Sequence, residues 1–249
     1  MPPVAESDQP SAPEIRIGLI QCGHLMAELV RDHGDYADVF ADLLGPFGVR
    51  LQTWDVTAGE LPSSTDECDG WLVSGSASST YDDLAWIAPA ERFLRETVGD
   101  GVPMIAICFG HQLLAQAMGG KVARADAGWG AGAHDYELVG PVQPWMDPPP
   151  HGRVRLVASH QDQVVDLPPR ATVLARTEHC PIAAFMLGPA ALAIQPHPEF
   201  TAEVSRELVD LRRDRLGPDV ADAALSTLEQ PLDQALVGSW MANFWRVQG

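Results

Sequence analysis

The run Pro103-Met104-Ile105-Ala106-Ile107 is almost wholly apolar, and it leads at once into Cys108 and a helical stretch from Phe109 to Met118. A strand that is apolar on both faces must be covered on both faces, which places it at the buried centre of a parallel sheet. Parallel neighbours need crossover connections, so helices are expected between the strands on either side. The first 120 residues meet that demand. Ile15 to Ile20 reads as a first strand, running into a loop over Gln21 to Gly34. Tyr36, Val39, Phe40, Leu43 and Leu44 then form a helical apolar stripe, ended by Gly45 and Gly48. Val49 to Val56 alternates as a second strand. Asp69 to Gly75 is a third, short and apolar, and Trp86 to Val98 reads as a helix. Gly119-Gly120 stops the helix that begins at Phe109.

The pattern changes after residue 120. Arg153 to Ala158, Thr172 to Ala175 and Ile182 to Met186 are short strand-like runs, and Pro141 to Pro150 is a proline-rich connection. These are expected to add antiparallel strands. The glycine-rich run Ala127 to Ala133 lacks the P-loop lysine and the Rossmann spacing, and reads as a turn. Val204, Leu208 and Leu211, then Leu232, Leu236, Trp240 and Phe244, mark a helical tail. The expected fold is therefore α/β, a mainly parallel central sheet flanked by helices with added antiparallel strands. Residues 14–249 are read as a single domain. Residues 1–13 hold four prolines and no aromatic, and are read as a disordered arm.

Charge and composition exclude several functions. Acidic residues number 34 against 16 basic ones, a net charge of -18. Such a surface repels phosphate backbones, so neither nucleic acid nor an anionic membrane is the expected partner. No apolar run approaches the roughly 18 residues of a membrane span, and no signal peptide is visible, so the expected location is cytoplasmic. No two cysteines form a C-x-x-C pair, which removes zinc-ribbon and thioredoxin-type readings. Cys22, Cys68 and Cys180 are read as small buried hydrophobes. His24, His33, His134, His151 and His179 lack metal-type spacing and are read as structural or surface residues. Asp82-Asp83 is either a contact for a substrate amine or a solvated loop or helix cap.

Cys108 stands apart because of its context. An apolar strand that ends at a cysteine, with a helix starting immediately, is the layout of a nucleophile elbow. The helix aims its positive end at the sulfur and favours the thiolate. The Phe109 N–H at that helix start is a candidate oxyanion donor. The alternative is a buried structural cysteine in a strand-turn-helix corner. The second signal is Gln195-Pro196-His197-Pro198-Glu199-Phe200, entered from the apolar run Ala191 to Ile194. The prolines hold the backbone extended, so His197 and Glu199 point the same way. A thiol needs a base such as His197, and the base needs an orienting carboxylate such as Glu199. Cys108, His197 and Glu199 each follow a strand-like run, and they are expected in one pocket at the sheet's C-terminal edge.

With these residues the chain resembles the class I, triad-type glutamine amidotransferases, in particular GMP-synthetase-like stand-alone members. Cys108, His197 and Glu199 match the family triad in identity, order and approximate spacing. Ser74-Gly75-Ser76 corresponds to the family's oxyanion loop. Ser159-His160-Gln161-Asp162-Gln163-Val164 is similar to the S-H-x-D-x-V segment of GMP-synthetase-like members, and Gly128-Trp129-Gly130 to a small-residue strand entry. Two departures are visible: Ala106 stands where many members carry Gly, and the oxyanion loop lacks the Gly-Gly-Pro of GMP synthetase. The loop is instead similar to that of stand-alone amidotransferases and gamma-glutamyl peptidases.

The resemblance implies a flavodoxin-like fold, a Cys108 thioester, and oxyanion donors at Gly75 or Ser76 and at Phe109. It implies substrate contacts from Gln112, Ser159 and His160, and neither metal nor organic cofactor. The implied substrate is glutamine or another gamma-glutamyl amide, with ammonia passed to a partner synthetase chain. A gamma-glutamyl peptidase, and a non-catalytic binding or regulatory module, are the two alternatives. The small residues of the oxyanion loop are expected to make a peptide flip there sterically cheap, so that a partner can gate the site.

Overall fold

The computed structural model describes residues 14–248, so the arm expected over residues 1–13 lies outside them. Along the first half, β1 (Ile15–Gln21), α1 (Ala27–His33), α2 (Tyr36–Leu44), β2 (Val49–Asp55), β3 (Gly70–Val73), α3 (Ile87–Asp100), β4 (Met104–Ile107) and α4 (Phe109–Ala117) follow one another. The second half opens with β5 (Lys121–Arg124), β6 (Gly130–Leu138), β7 (Arg153–His160), β8 (Asp162–Asp166), β9 (Ala171–Arg176), β10 (Ala184–Leu187) and β11 (Ala191–Ile194). It closes with α5 (Ala202–Leu211), α6 (Arg213–Leu216), α7 (Pro218–Thr227) and α8 (Gln234–Gln248).

One nine-stranded sheet carries the architecture, in the order β2-β1-β3-β4-β11-β10-β9-β6-β7. Its first five strands are parallel, and β11 supplies the fifth, which is the flavodoxin order. The remaining four pair antiparallel, as the short runs after residue 120 imply. β5 and β8 form a separate antiparallel ribbon. All four residues of β4 are buried, as are those of β3 and β11, whereas β2 at the edge buries only Val49 fully. The apolar run at 103–107 is thus central for the reason its composition gives.

Alternate residues of each strand serve opposite faces. Leu72, Ile105, Ile107, Leu192 and Ile194 pack with Phe40 of α2, Leu208 of α5 and Trp240 and Phe244 of α8. Val73, Met104, Ala106 and Ala193 pack with Phe93 and Leu94 of α3 and Leu113 and Leu114 of α4. Cys22, Cys68 and Cys180 are buried free thiols, as expected.

Two segments differ from the sequence reading. The expected loop over Gln21–Gly34 contains α1. Only Leu29 of that helix is buried, so there is no periodic stripe to see. The expected turn at Ala127–Ala133 ends at Trp129, and Gly130 to Ala133 begin β6. At Gly132, φ is +78°, and a Cβ would lie 2.5 Å from Thr227 Oγ1 and 2.6 Å from the Ala224 carbonyl oxygen. Glycine is there to let α7 approach the strand, not to turn the chain.

Candidate active site

The site begins with the chain's departure from β4. Cys108 adopts φ 52° and ψ -102°, one of two non-glycine residues with positive φ among the described residues. That backbone costs on the order of 1–3 kcal/mol and persists only where its surroundings hold it. They do so here. The Cys108 N–H donates to the Ile194 carbonyl at 2.8 Å, tying the turn to β11, and the Gly110 N–H donates to the Ser74 carbonyl at 3.1 Å, tying it to β3. A Cβ on Gly110 would stand 2.7 Å from the Val73 carbonyl oxygen, so only glycine allows α4 this close. The Phe109 N–H, at the first helical position, has no intrahelical acceptor.

His197 and Glu199 come from the loop after β11. The His197 N–H donates to the Val157 carbonyl at 2.8 Å, which fixes the loop against β7. The imidazole and the Glu199 carboxylate are both buried, with Nδ1 and Oε1 2.7 Å apart. A carboxylate acceptor requires the proton on Nδ1 and leaves Nε2 without one, able to act as a base. Phe200 backs the ring in a parallel stack at 4.2 Å. Burial lowers the imidazole pKa, but the Cys108 sulfur and the Glu199 carboxylate outweigh it and carry it up to about 10. Cys108 and His197 line one cleft. Glu199 is not among the residues that line it and meets the imidazole from the Nδ1 edge. A group that binds Nδ1 sits on the ring edge away from Nε2, so it stands behind the imidazole.

The loop after β3 closes over the pair. Ser74 is buried; its hydroxyl accepts from the Cys22 N–H at 2.9 Å and donates to the Gly75 carbonyl at 2.9 Å. That bond anchors the peptide between Gly75 and Ser76, so the cheap flip expected from small residues meets a specific restraint. A Cβ on Gly75 would lie 2.7 Å from the Tyr36 hydroxyl and 3.1 Å from His197 Cε1. Ser76 lines the cleft beside Cys108.

The cleft is open to the solvent. Gln112, Ser159 and His160 line it as expected, but two of them are already engaged. The Gln112 amide donates to the Asp162 carbonyl at 2.8 Å and to Gln195 Oε1 at 3.1 Å. The Ser159 hydroxyl accepts from Arg212 Nη1 at 2.8 Å. The His160 imidazole is neutral, its pKa pushed down to about 3 by burial and by the neighbouring histidines. Asp82 caps a loop through the Ser79 N–H, at 2.7 Å, and both Asp82 and Asp83 are exposed. Among the described residues, no group of three or more His, Cys, Asp or Glu is placed to hold a metal ion, and no helix is long and apolar enough to cross a membrane.

Sequence reasoning missed Tyr36, Phe200, Leu208, Arg212 and Arg215, all of which line the cleft. Tyr36 and Leu208 were visible only as members of apolar stripes. Phe200 stood in the histidine motif without a role. Nothing in spacing marked the arginines.

A flavodoxin-order sheet thus brings a cysteine elbow and a carboxylate-oriented histidine to one cleft. The model of the family described as glutamine amidotransferase class-I matches residues 29–210, and the chain belongs to that family. Gamma-glutamyl peptidase 3 of Arabidopsis thaliana is 31% identical over 226 residues, 86% of this chain and 90% of that one. The glutamine-hydrolyzing GMP synthase of Ralstonia pickettii is 38% identical over 141 residues, 53% of this chain but 25% of the relative. The fold is also that of a Thermotoga maritima glutamine amidotransferase crystal structure, with a TM-score of 0.75, 21% identity, and coverage of 95% of this chain and 99% of that one.

Proposed function

We propose that this chain hydrolyses the γ-amide bond of a γ-glutamyl amide through a cysteinyl thioester on Cys108. The carrying observation is the Cys108 elbow at φ 52°, which shares one cleft with an imidazole that Glu199 holds at 2.7 Å. His197 takes the thiol proton, and the thiolate attacks the γ-carbonyl carbon, forming the C–S bond. The oxyanion is met by backbone N–H groups at Phe109 and at Gly75 or Ser76. Collapse breaks the C–N bond, and the imidazolium passes its proton to the departing amine. His197 then takes a proton from water, whose attack on the thioester releases glutamate and restores the thiol. Glu199 keeps the Nδ1 proton in place throughout. Gln112, Ser159 and His160 form the wall against which the glutamyl amino-acid end lies.

Glutamine is the simplest such substrate, and the GMP synthase relatives support transfer of its ammonia to a partner synthetase chain. The gamma-glutamyl peptidase relatives support a second reading, hydrolysis of γ-glutamyl peptides with no acceptor. A free thiol nucleophile suits a reducing compartment, which fits the cytoplasm. The test is incubation with a thiol-alkylating glutamine analogue, followed by peptide mapping and a glutamate-release assay. Label on Cys108 with loss of turnover supports the reading. Label on Cys22 or Cys180 instead, or turnover surviving in Cys108→Ala, refutes it.

A further inference from the structure

The loop that carries Gly75 and Ser76 is held, a few residues further on, by groups from distant parts of the chain. Thr80 is buried and is bonded twice to α4. Its hydroxyl donates to Gln116 Oε1 at 2.9 Å, and its carbonyl accepts from Gln116 Nε2 at 2.8 Å. On either side of Thr80, Ser79 and Tyr81 turn instead to Asp162, the first residue of β8. The Asp162 carboxylate accepts from the Ser79 hydroxyl through Oδ2 and, at 3.0 Å, from the Tyr81 hydroxyl through Oδ1. Tyr81 is 55% exposed, so burial does not place its ring, and the bond to Asp162 fixes its hydroxyl.

These bonds close a ring. The Asp162 carbonyl accepts from Gln112 Nε2 at 2.8 Å, and Gln112 and Gln116 lie one turn apart on the same face of α4, the helix that starts from the Cys108 elbow. The ring runs from α4 to the loop through Gln116 and Thr80, and from the loop to β8 through Ser79, Tyr81 and the Asp162 side chain. It returns to α4 through the Asp162 backbone and Gln112. Without the Asp162 side chain, the loop keeps Gln116 and loses its hold on β8. The two groups of candidate oxyanion donors stand on different members of this ring: the Phe109 N–H on α4, and the Gly75 or Ser76 N–H on the loop. Oxyanion stabilisation needs donors preorganised around one point, so whatever ties these two members together sets the spacing of the donors.

We propose that Asp162 is a positioning residue, whose carboxylate latches the oxyanion loop to the elbow helix and thereby sets the spacing of the oxyanion donors. This rests on the reading of Cys108 as the nucleophile. Asp162 acts through Ser79 and Tyr81 and takes no part in the bond changes, since both of its carboxylate oxygens are turned to the hydroxyls of the loop.

The test is steady-state glutamate release by the full chain from glutamine and from γ-glutamylglycine, with amide hydrogen exchange measured on the same proteins. Asp162→Ala is expected to lower kcat about 10-fold to 10²-fold, the cost of a displacement of up to about 1 Å at a reacting centre, while KM stays within about threefold. Ser79→Ala/Tyr81→Phe removes the same bonds from the other side and should give a similar loss with Asp162 intact. The triple variant should be no slower than either, because one set of bonds is lost only once. Asp162→Asn can still bond both hydroxyls, through its oxygen and its amide, and should recover part of kcat. Exchange in residues 75–83 should rise in Asp162→Ala while that of β4 is unchanged. A loss confined to KM overturns the proposal, because it makes Asp162 a substrate contact. Losses that multiply in the triple variant also overturn it, since Asp162 then acts elsewhere. So does a lowered melting temperature with kcat unchanged, which is the mark of a merely structural role. A wild type that releases no glutamate from either substrate refutes both this role and the reading beneath it. Turnover by the wild type with kcat unchanged in Asp162→Ala refutes the role alone.

Discussion

Gly75→Ala is the substitution for which the structure gives the most definite expectation. The new methyl would sit 2.7 Å from the Tyr36 hydroxyl, 3.1 Å from His197 Cε1 and 3.2 Å from Tyr36 Cζ, where ordinary contact begins at 3.4 Å. The overlaps are thus 0.7 Å against the hydroxyl and 0.3 Å against the imidazole. Neither neighbour can retreat. Tyr36 is 5% exposed, with its ring between Phe40 and Phe200, and His197 is stacked against Phe200. The loop must move instead, taking its candidate oxyanion N–H groups with it. A displacement approaching 1 Å at a reacting centre costs about 10²-fold, and loss of one oxyanion donor costs about 10²–10³-fold. We expect kcat/KM for glutamate release to fall about 10²-fold. Tyr36→Phe removes the closest atom, so Gly75→Ala/Tyr36→Phe should recover part of the loss, a coupling read from the double-mutant cycle. Gly99→Ala is the control: its Cβ meets nothing within 4 Å inside α3, and it should add about 0.5–1 kcal/mol of stability with activity intact. Activity of Gly75→Ala within about threefold of wild type, a change below 1 kcal/mol, would refute the reasoning. So would a double variant no better than the single one.

Four further expectations follow from the same geometry. Cys108→Ala should lower kcat on the order of 10⁴–10⁶-fold while Cys22→Ala leaves it nearly unchanged. Cys108→Gly should be at least as stable as Cys108→Ala in urea unfolding, because glycine relieves the positive φ; an alanine variant more stable by the usual 0.5–1 kcal/mol or so would deny that the elbow is strained. Ser74→Ala strands the Cys22 N–H and frees the Gly75 carbonyl, so it should cost about 1–3 kcal/mol of stability and lower kcat more than it raises KM; unchanged kcat would show that the hydroxyl does not hold the loop. The His197 pKa of about 10 lies above the ordinary imidazole value of 6.5, so the folded state binds the extra proton between those values. That contribution to stability is complete below pH 6.5 and is lost as the pH rises through about 10. Cys108 is the largest raising influence, so Cys108→Ala should move the His197 titration down in an NMR experiment and flatten the alkaline loss of stability. An unmoved titration would mean that the thiol is not its partner.

Four of the five parallel strands and the cysteine elbow were legible in the sequence because each is a local pattern, whereas β11 follows the antiparallel runs and nothing local marks it as the fifth parallel strand. A strand buried on both faces must be apolar throughout, and a helix started without a linker must turn sharply. The triad candidates were legible for the same reason, since His197 and Glu199 are two residues apart on a proline-stiffened segment. α1 was not legible, because one buried leucine makes no period. The start of β6 was not, because glycines chosen for the approach of α7 look like a turn from inside the chain.

Residue order and local patterning by themselves determined which side chains can react. Only the tertiary structure decided what surrounds them. Ser74 restrains Gly75 through a hydroxyl whose partners lie in two separate segments, and Arg212 reaches the cleft from a helix that begins after β11 has crossed the sheet. Such contacts join positions tens of residues apart, and no spacing rule encodes them. They exist because β11 inserts beside β4 and brings the tail of the chain over the elbow.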